Sequence, residues 1–280
     1  MEMKSRTVVC SPAHVAGIIL LIAACAAFFI HPFLAVALLS FYVVLCVGAC
    51  FFPGTNFLGE VVSRGRTGKN YVALTFDDGP SDVTTPKILD LLDRYQAKAT
   101  FFVSGVNALT HPDIIREIIR RGHEIGNHSM NHDPLVMLKG NQNLQREIQE
   151  ADQVLRSMGV FAKAFRPPVG IINPELPSLL AQLGLVCVVF SRRARDAGNR
   201  RVHDLALKIL KEVRGDDIIL LHDKPPRRPE DCTILWQELE LLLAGIRERG
   251  LQIVPLSCLT GEQLMNVDPR LGNVQCGNSN

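Results

Sequence analysis

The sequence predicts an α/β domain with a mostly parallel sheet, preceded by two apolar helices near the amino terminus. Apolar, strand-like runs alternate with amphipathic helical patterns through most of the chain, an arrangement that builds parallel sheets, open or closed. Several of the predicted helices begin near a proline and end just before a glycine, as helices commonly do. The stretch from Val15 to Phe52 contains no Asp, Glu, Lys or Arg.

The α/β pattern begins after this uncharged stretch. Seven strands are predicted, over residues 71–76, 98–103, 123–126, 163–166, 185–190, 217–221 and 251–255. Helices are predicted between them, at about residues 84–95, 111–121, 141–158, 174–183, 202–213 and 233–249. No internal repeat divides the pattern, so one domain is expected to hold all of these elements.

The uncharged stretch is about twice as long as one crossing of a hydrocarbon core roughly 30 Å thick. His31-Pro32 interrupts it, so we predict two membrane helices, at about 15–30 and 33–52, that pack as a hairpin and contact membrane lipid. A signal peptide is one alternative, but no small-residue cleavage site is followed by a polar start. One long broken helix, which would send the two ends to opposite sides of the membrane, is another.

Positive residues flank the uncharged stretch on both sides. Lys4 and Arg6 precede it, and Arg64, Arg66 and Lys69 follow it. Because positive flanks tend to stay in the cytoplasm, the pattern favours a protein of a bacterial-type inner or plasma membrane whose main domain faces the cytoplasm.

Composition and pattern divide the 280 residues into five segments. These are an N-terminal tail (1–14), the hairpin (15–52), a polar linker (53–70), the α/β domain (71–265) and a disordered tail (266–280). The net charge is only +2 and no basic block is present, so nucleic acid is not expected as a partner.

The cysteines give weak information about the compartment. Four lie in or beside the hairpin, and the other four, which form no CxxC pair, are Cys187, Cys232, Cys258 and Cys276. We expect mostly buried, reduced thiols, and a disulfide among the last four is the alternative.

Two adjacent acidic residues, Asp77 and Asp78, directly follow the first predicted strand, and Gly79-Pro80 then turns the chain. Strand ends of this kind hold catalytic residues in α/β barrels. Adjacent carboxylates point in different directions, so one can bind a metal ion while the other faces a substrate. An ordinary turn that uses Asp and Gly is the alternative.

His128 and His132 follow the third predicted strand. Two imidazoles four residues apart reach one metal ion if a helical turn lies between them, and a chance pair of surface histidines is the alternative. With an aspartate from the first motif they supply an Asp–His–His set, which leaves a position for water at a catalytic metal. A spare carboxylate beside that water can take its proton.

Two more clusters follow predicted strands. Arg166 begins the sequence RPPVG, and its guanidinium could hold a carboxylate by paired hydrogen bonds, or stand on the surface of a rigid proline turn. His222 lies in the sequence LLHD, where a histidine satisfied at a strand end is the alternative to a functional one.

The four motifs TFDDGP, HSMNH, RPPVG and LLHD occur in this order, each at the carboxyl end of a predicted strand. In this combination the sequence resembles the polysaccharide deacetylases, the fourth family of carbohydrate esterases, over about residues 70–256. The resemblance implies a distorted (β/α) barrel with about seven parallel strands. It also implies a hydrolase that uses one divalent metal ion to remove an N-acyl group, typically acetyl, from an amino sugar. Zinc is the first candidate, and cobalt, nickel or iron suit the same ligands.

The resemblance assigns a role to each motif. Asp77 would be the general base, oriented by Arg166, and His222 would protonate the leaving amine. The backbone N–H of Val169 would stabilise the oxyanion, a role that does not depend on the side chain. The metal ligands would be Asp78, His128 and His132.

One segment departs from the family pattern, which commonly reads Asp-x-x-Asp-Trp after the fifth strand. Asp196 matches the second Asp and would orient or tune His222, but Arg193 replaces the first Asp and Ala197 replaces the Trp. In the family this Trp and the residue matching Leu220 enclose the acetyl methyl group. Loss of the indole opens this wall at Ala197 unless another side chain refills it, so a different acyl group or an unusual lipid-linked substrate is an alternative to acetyl.

The hairpin favours a substrate near the bilayer, either a glycan or a polyprenyl- or other lipid-linked sugar precursor. A cytoplasmic domain would favour the precursor, and an extracytoplasmic one the wall or an exported polysaccharide. An O-deacetylase is the nearest rival function, because the same site hydrolyses esters. A non-catalytic glycan-binding relative is the other alternative, although such a protein would be expected to lose ligands or the base, and none is lost.

Overall fold

The computed structural model describes residues 10–271 of the chain. Its helices are α1 (Pro12–Phe28), α2 (Pro32–Phe51), α3 (Thr85–Arg94), α4 (Gly105–Thr110), α5 (Pro112–Arg120), α6 (Asn141–Ser157), α7 (Leu176–Leu183), α8 (Leu205–Leu210), α9 (Asp231–Glu248) and α10 (Leu256–Thr260). Its strands are β1 (Tyr71–Asp77), β2 (Thr100–Val103), β3 (Glu124–Asn127), β4 (Val160–Ala162), β5 (Ala164–Phe165), β6 (Val186–Cys187), β7 (Arg192–Arg193), β8 (Ile218–His222), β9 (Gln252–Ile253) and β10 (Met265–Val267).

Seven parallel strands form a curved sheet in the order β6-β5-β3-β2-β1-β8-β7, and β9 pairs with the start of β1. The central strand β1 places Asp77 opposite His222 of β8 and opposite Phe102 of β2. Helices follow most of these strands and cover the outside. The α/β class with a parallel sheet of about seven strands is therefore confirmed.

The alternation of side chains along β1 explains why the end of the TFDDGP motif's strand faces the inside of the sheet's curve. Leu74 and Phe76 are buried in the same cluster as residues of α3, whereas Ala73 belongs to a second cluster with Phe102. Since successive side chains of a strand point to opposite faces, Thr75 and Asp77 share the inner face with Ala73.

The segment that the sequence predicts as a polar linker, 53–70, is built into the α/β domain. Val62 forms a parallel bridge with Val188, and Arg64 an antiparallel bridge with Asp217. This short extended run fills the gap between β6 and the start of β8. Leu58 and Val61 nearby are each only 4% exposed. Burial of these two apolar side chains stabilises the packing of the segment against the domain, so it is not a free linker.

The carboxyl-terminal boundary also differs from the prediction. Strand β10 pairs antiparallel with β4, so the ordered domain continues past residue 265, and a short helical turn covers Pro269–Leu271. The rest of the predicted tail, 272–280, lies outside the described residues. Short elements such as α4, β4, β7, α10 and β10 are missing from the sequence prediction because none of them is long enough to show a clear period.

The two amino-terminal helices form the predicted antiparallel pair. Small residues bring them close: Ala24, Ala27 and Ala35 pack together, and the Tyr42 hydroxyl donates to the carbonyl of Ala13 at 3.1 Å. Most of the large apolar side chains on both helices point outward and are exposed. By length and composition α2 could cross a membrane, while α1 is apolar but shorter, a pattern that a core helix or signal sequence can also show.

The expectation of mostly buried thiols is wrong for the described residues, because Cys187 is the buried one of their six free thiols while Cys10 and Cys25 are exposed. Cys258 is disulfide-bonded, as the alternative of a disulfide among the last four cysteines allows. Among the described residues the free thiols are Cys10, Cys25, Cys46, Cys50, Cys187 and Cys232. Cys276 lies outside the described residues.

Candidate active site

The structure brings the four motifs together at one edge of the sheet. Asp77 and His222 end β1 and β8, while Asn127 and Phe165 end β3 and β5, so the residues that follow these parallel strands meet at their carboxyl ends. The edge borders a cleft of about 540 Å³ lined by Asp78, Pro80, Ser81, Ser104, Val106, Asn107, His111, Asn131, His132, Asp223, Lys224 and Pro225.

Arg166 forms the centre of the site and has no exposed surface. Its Nη1 donates to Asp77 Oδ1 and to Thr75 Oγ1, both at 2.7 Å. Its Nε and Nη2 donate to the carbonyls of Val188 and Val189 at 3.3 and 3.0 Å. A guanidinium with each nitrogen partnered is a stable buried cation, and it holds the Asp77 carboxylate in one orientation.

The candidate metal ligands lie beside Asp77. Asp78 Oδ1 is 3.6 Å from His128 Nε2 and 3.0 Å from His132 Nε2, and the three ligand atoms lie within 4.8 Å of one another. The other ring nitrogen of His128, Nδ1, hydrogen-bonds to the Arg166 carbonyl at 2.8 Å, and a carbonyl can only accept. That bond fixes the tautomer and leaves Nε2 of His128 free for a metal, as second-shell carbonyls commonly do.

The backbone around these ligands is held in uncommon conformations. Asp78 and His132 have positive φ angles of 72° and 50°, which non-glycine residues seldom adopt. In the HSMNH turn, Asn127 Oδ1 accepts from the Ser129 N–H at 2.9 Å and Ser129 Oγ accepts from the His132 N–H at 3.2 Å. Such conformations persist where surrounding contacts enforce them, and they are frequent at ligand sites.

The buried acceptors of this cluster fit a cation. Asp78 Oδ1 is buried and has no hydrogen-bond partner. Burial alone would raise the pKa of Asp78, but the nearby imidazoles of His128, His132 and His222 outweigh it and hold that pKa below its usual value. An ionised carboxylate with an unpartnered oxygen between two imidazoles matches the oxygen and nitrogen ligands that a zinc-type ion prefers.

His222 ends β8 beside Asp77 of β1 and pairs with Asp196. His222 Nδ1 is 2.8 Å from Asp196 Oδ2, and both side chains are largely buried. Burial lowers the pKa of His222, but the hydrogen bond and charge of Asp196 outweigh it and raise that pKa above its usual value. Asn199 holds the two loops together, since its side chain donates to the carbonyls of His222 and Lys224 at 2.9 and 2.7 Å.

The residues expected to shape the acyl pocket are placed as follows. Leu220 is 7% exposed and shares a face of β8 with His222, because the two are separated by one residue. Val169 lies in the turn after β5 with a φ of +56° and a side chain that is 49% exposed. Ala197 is exposed, and a Cβ added to the next residue, Gly198, would be 3.9 Å from Asp78 Oδ2. The loop that lacks the indole therefore borders the metal site.

Sequence reasoning missed three supporting residues. Thr75 shares the Arg166 guanidinium with Asp77, and Asn199 joins the two loops. Asp223 is fully buried and accepts hydrogen bonds from the hydroxyls of Thr84 and Thr85, both at 2.6 Å. Burial raises the pKa of Asp223 to about 7, against the lowering effect of these hydroxyls. Thr75 lies in the TFDDGP motif and Asp223 in the LLHD motif. That position was the only sequence feature that could have indicated their supporting roles.

Comparisons with known proteins agree with this geometry. The family model described as polysaccharide deacetylase matches residues 64–188. A chitooligosaccharide deacetylase of Sinorhizobium fredii is 38% identical over 68% of this chain and 92% of its own length. The chain belongs to the polysaccharide deacetylase family. A peptidoglycan-N-acetylglucosamine deacetylase of Bacillus cereus is 32% identical over 71% of this chain and 92% of the relative.

The fold of this family member also matches a solved structure. The crystal structure of a peptidoglycan N-acetylglucosamine deacetylase in complex with 4-naphthalen-1-yl-N-oxidanyl-benzamide superposes with a TM-score of 0.65 at 28% identity. The match covers 73% of this chain and 94% of the other. The α/β domain therefore has the (β/α) barrel fold of the family, as the resemblance implied.

The ligand set can be tested by metal binding alone. We expect His132→Ala to weaken zinc binding by the metal-stripped chain at least ~10–100-fold, the loss seen even when supporting groups are removed. Asp77→Asn should keep the metal, because Asp77 is bound by Arg166 and is not a ligand. The measurement is calorimetric titration with zinc.

A matched control is His111→Ala, since His111 lines the same cleft but lies outside the ligand cluster. It should bind zinc like the wild type. Unchanged affinity in His132→Ala would contradict the ligand assignment.

Proposed function

We propose that the protein is a metal-dependent deacylase that removes an N-acyl group, in the first place acetyl, from an amino sugar in a glycan or a lipid-linked precursor. One observation carries the proposal. Asp77, held by Arg166, lies beside the candidate metal cluster and next to His222 of the neighbouring strand, which pairs with Asp196. The proposed base, the proposed acid and a metal ion held by this cluster would thus act on the same acyl group of a substrate.

Asp77 is the proposed general base. Arg166 occupies Oδ1, and Oδ2 lies 3.7 Å from His128 Nε2, on the side of the metal cluster. An ionised carboxylate placed there can accept a proton from the attacking water while the water oxygen bonds to the acyl carbon. Arg166 acts as a positioning residue, because it is fully buried and contacts Asp77.

Asp78, His128 and His132 would hold one divalent ion, zinc first and cobalt, nickel or iron as alternatives. The ion would polarise the acyl carbonyl and lower the pKa of a water molecule. The backbone N–H of Val169 is the proposed donor to the oxygen that becomes negative, a contribution that preorganised amides commonly make.

His222 is the proposed general acid. When the carbon–nitrogen bond breaks, the amine needs a proton, and an imidazolium can donate one. Asp196 supports this role by orienting the ring and raising the pKa of His222. A group with a raised pKa remains protonated to higher pH, which suits an acid that must work near neutrality.

The acyl pocket is proposed to be wider than an acetyl group requires. Leu220 supplies one apolar wall, but the loop at Ala197 and Gly198, where the family has a Trp, carries almost no side chain near Asp78. A larger acyl group would fill this space. The relatives named above act on peptidoglycan N-acetylglucosamine and on chitooligosaccharides, which supports acetyl as the first group to test.

Membrane attachment through residues 15–52 is also proposed here. The positive flanks favour the α/β domain on the cytoplasmic side of a bacterial-type inner or plasma membrane. The disulfide at Cys258 favours the opposite side, because disulfides persist in oxidising compartments. We therefore keep the extracytoplasmic placement as a second candidate.

The leaving group distinguishes N-deacylation from ester hydrolysis. We expect His222→Gln to lower acetate release from N-acetylglucosamine oligomers by about 10²–10⁴-fold, the usual contribution of a positioned acid. Release from an O-acetylated glycan should fall much less, because an alkoxide needs less help from an acid than an amine does. Initial rates on both substrates are the measurement.

Asp77→Asn is the control and should lose both activities, since the base serves both reactions. Full N-deacetylase turnover by His222→Gln would contradict the general-acid role. A wild type that hydrolyses only the ester would establish the O-deacetylase instead, and activity on neither would support a non-catalytic relative.

The membrane side can be tested with membrane-impermeant maleimide on intact cells. Leu241→Cys places a thiol on the exposed surface of α9, and Ile30→Cys places one at the hairpin tip. A cytoplasmic domain predicts labelling of the tip above the wild-type background and protection of α9. Labelling of α9 with a protected tip would establish the extracytoplasmic placement.

A further inference from the structure

Exposed apolar side chains of the α/β domain are concentrated at the edge that holds the active site. Among residues 53–271, nine large apolar side chains are exposed, and six lie in segments that follow the carboxyl ends of sheet strands. These six are Val83, Val106, Leu109, Leu135, Leu138 and Val169. The other three, on β4, α8 and α9, are Phe161, Leu207 and Leu241. Exposed apolar residues collected on one edge of a domain commonly mark a surface for a partner or a membrane, and one of these six, Val106, also lines the cleft.

A short series of contacts joins this rim to the end of the hairpin. The Ile172 N–H donates to the carbonyl of Cys50 in the last turn of α2 at 3.1 Å. The next residue, Asn173, donates from Nδ2 to the carbonyl of Met137 at 3.0 Å. Leu138, which is 83% exposed, directly follows Met137. Leu138 is therefore held close to the end of α2 that would leave the bilayer.

The hairpin is docked firmly against this part of the domain. Ala13 and Ala49, from the domain ends of α1 and α2, belong to the same buried cluster as Val136, Met137 and Ile172. The Ala13 N–H also donates to the carbonyl of Phe57 at 2.9 Å. With the segment after α2 built into the barrel, these contacts fix the distance between the rim and the bilayer.

The loops on the other side of the cleft are basic. The exposed cations that follow β6–β8 are Arg193, Arg195, Arg200, Arg201, Lys224, Arg227 and Arg228. Within residues 193–201 and 224–228 the acidic residue is Asp196, which is buried against His222 and does not offset this charge at the surface. The exposed acids Asp204 and Glu230 lie just beyond these spans. Such a basic cluster complements the anionic headgroups of a bilayer.

We propose that this edge is a bilayer-contact surface. Leu135 and Leu138 enter the boundary between headgroups and acyl chains, and the basic loops meet anionic headgroups. The cleft then opens at the membrane, where it takes an N-acylated sugar carried on a membrane lipid. The substrate class rests on the deacylase function proposed above, while the contact surface itself does not depend on any activity.

The contact can be measured by fluorescence in vesicles. The chain has a single tryptophan, so Leu138→Trp in a Trp236→Phe background reports on one position of the full-length protein. In vesicles of phosphatidylcholine and phosphatidylglycerol, brominated acyl chains should lower its fluorescence at least ~2-fold, because interfacial side chains lie roughly 5–10 Å deep. The matched control is Leu241→Trp in the same background, on the exposed side of α9, whose fluorescence should hardly change. Equal quenching at the two positions would overturn the proposal.

Kinetics supply a second test with a different readout. Leu138→Asp should lower acetate release from a lipid-anchored N-acetylglucosamine substrate about 10-fold, the effect of losing one buried leucine contact. Release from a water-soluble oligomer should be unchanged, and Leu241→Asp should affect neither substrate. Wild-type rates for Leu138→Asp on the anchored substrate would overturn the contact surface. A wild type without activity on either substrate would instead contradict the proposed function, and the quenching result would stand by itself.

Discussion

The buried ion pair of Arg166 and Asp77 is the constraint on which the rest of the site depends. A guanidinium with no exposed surface is tolerated only if its nitrogens are partnered, and removal of one partner of such a pair costs about 3–5 kcal/mol. The barrel meets this requirement with the carboxylate of Asp77, the hydroxyl of Thr75 and two carbonyls of the strand segment after β6. The Phe102 ring lies 4.0 Å from the guanidinium and covers one side of it.

The same residue links the proposed base to the candidate metal cluster. The carbonyl of Arg166 fixes the ring of His128, while its side chain fixes Asp77. The orientations of the proposed base and of a candidate ligand are thereby coupled through one position in the chain. A site arranged in this way is preorganised, since its charged groups do not need to reorient when a substrate binds.

The sequence predicted the chemical groups of the site better than their supports. Asp77, Asp78, His128, His132, Arg166 and His222 could be named because acids, imidazoles and a guanidinium after strand ends have few ordinary explanations when they occur together. Asn199 could not be found, because its amide acts on backbone carbonyls of a loop that is distant in sequence. The bridges that Val62 and Arg64 form with the sheet could not be predicted either, since two isolated bridges leave no periodic pattern in the sequence. Elements of two or three residues, such as β7 and β10, are likewise too short to show a period in the sequence.

The hairpin packs against the α/β domain, so its position relative to the domain is fixed in a way that a flexible tether would not fix it. Because α1 and α2 end in the domain's own core, the position of the cleft relative to the hairpin is set by packing. The choice of substrate can then depend on the position of the cleft relative to the hairpin as well as on the residues that line the cleft.

The most direct measurement of metal-dependent deacetylation is acetate release from N-acetylglucosamine oligomers during titration of the metal-stripped chain with zinc. We expect no release without metal and a rise in rate that ends at one bound zinc ion per chain. Release that continues unchanged in the presence of a strong chelator would contradict it.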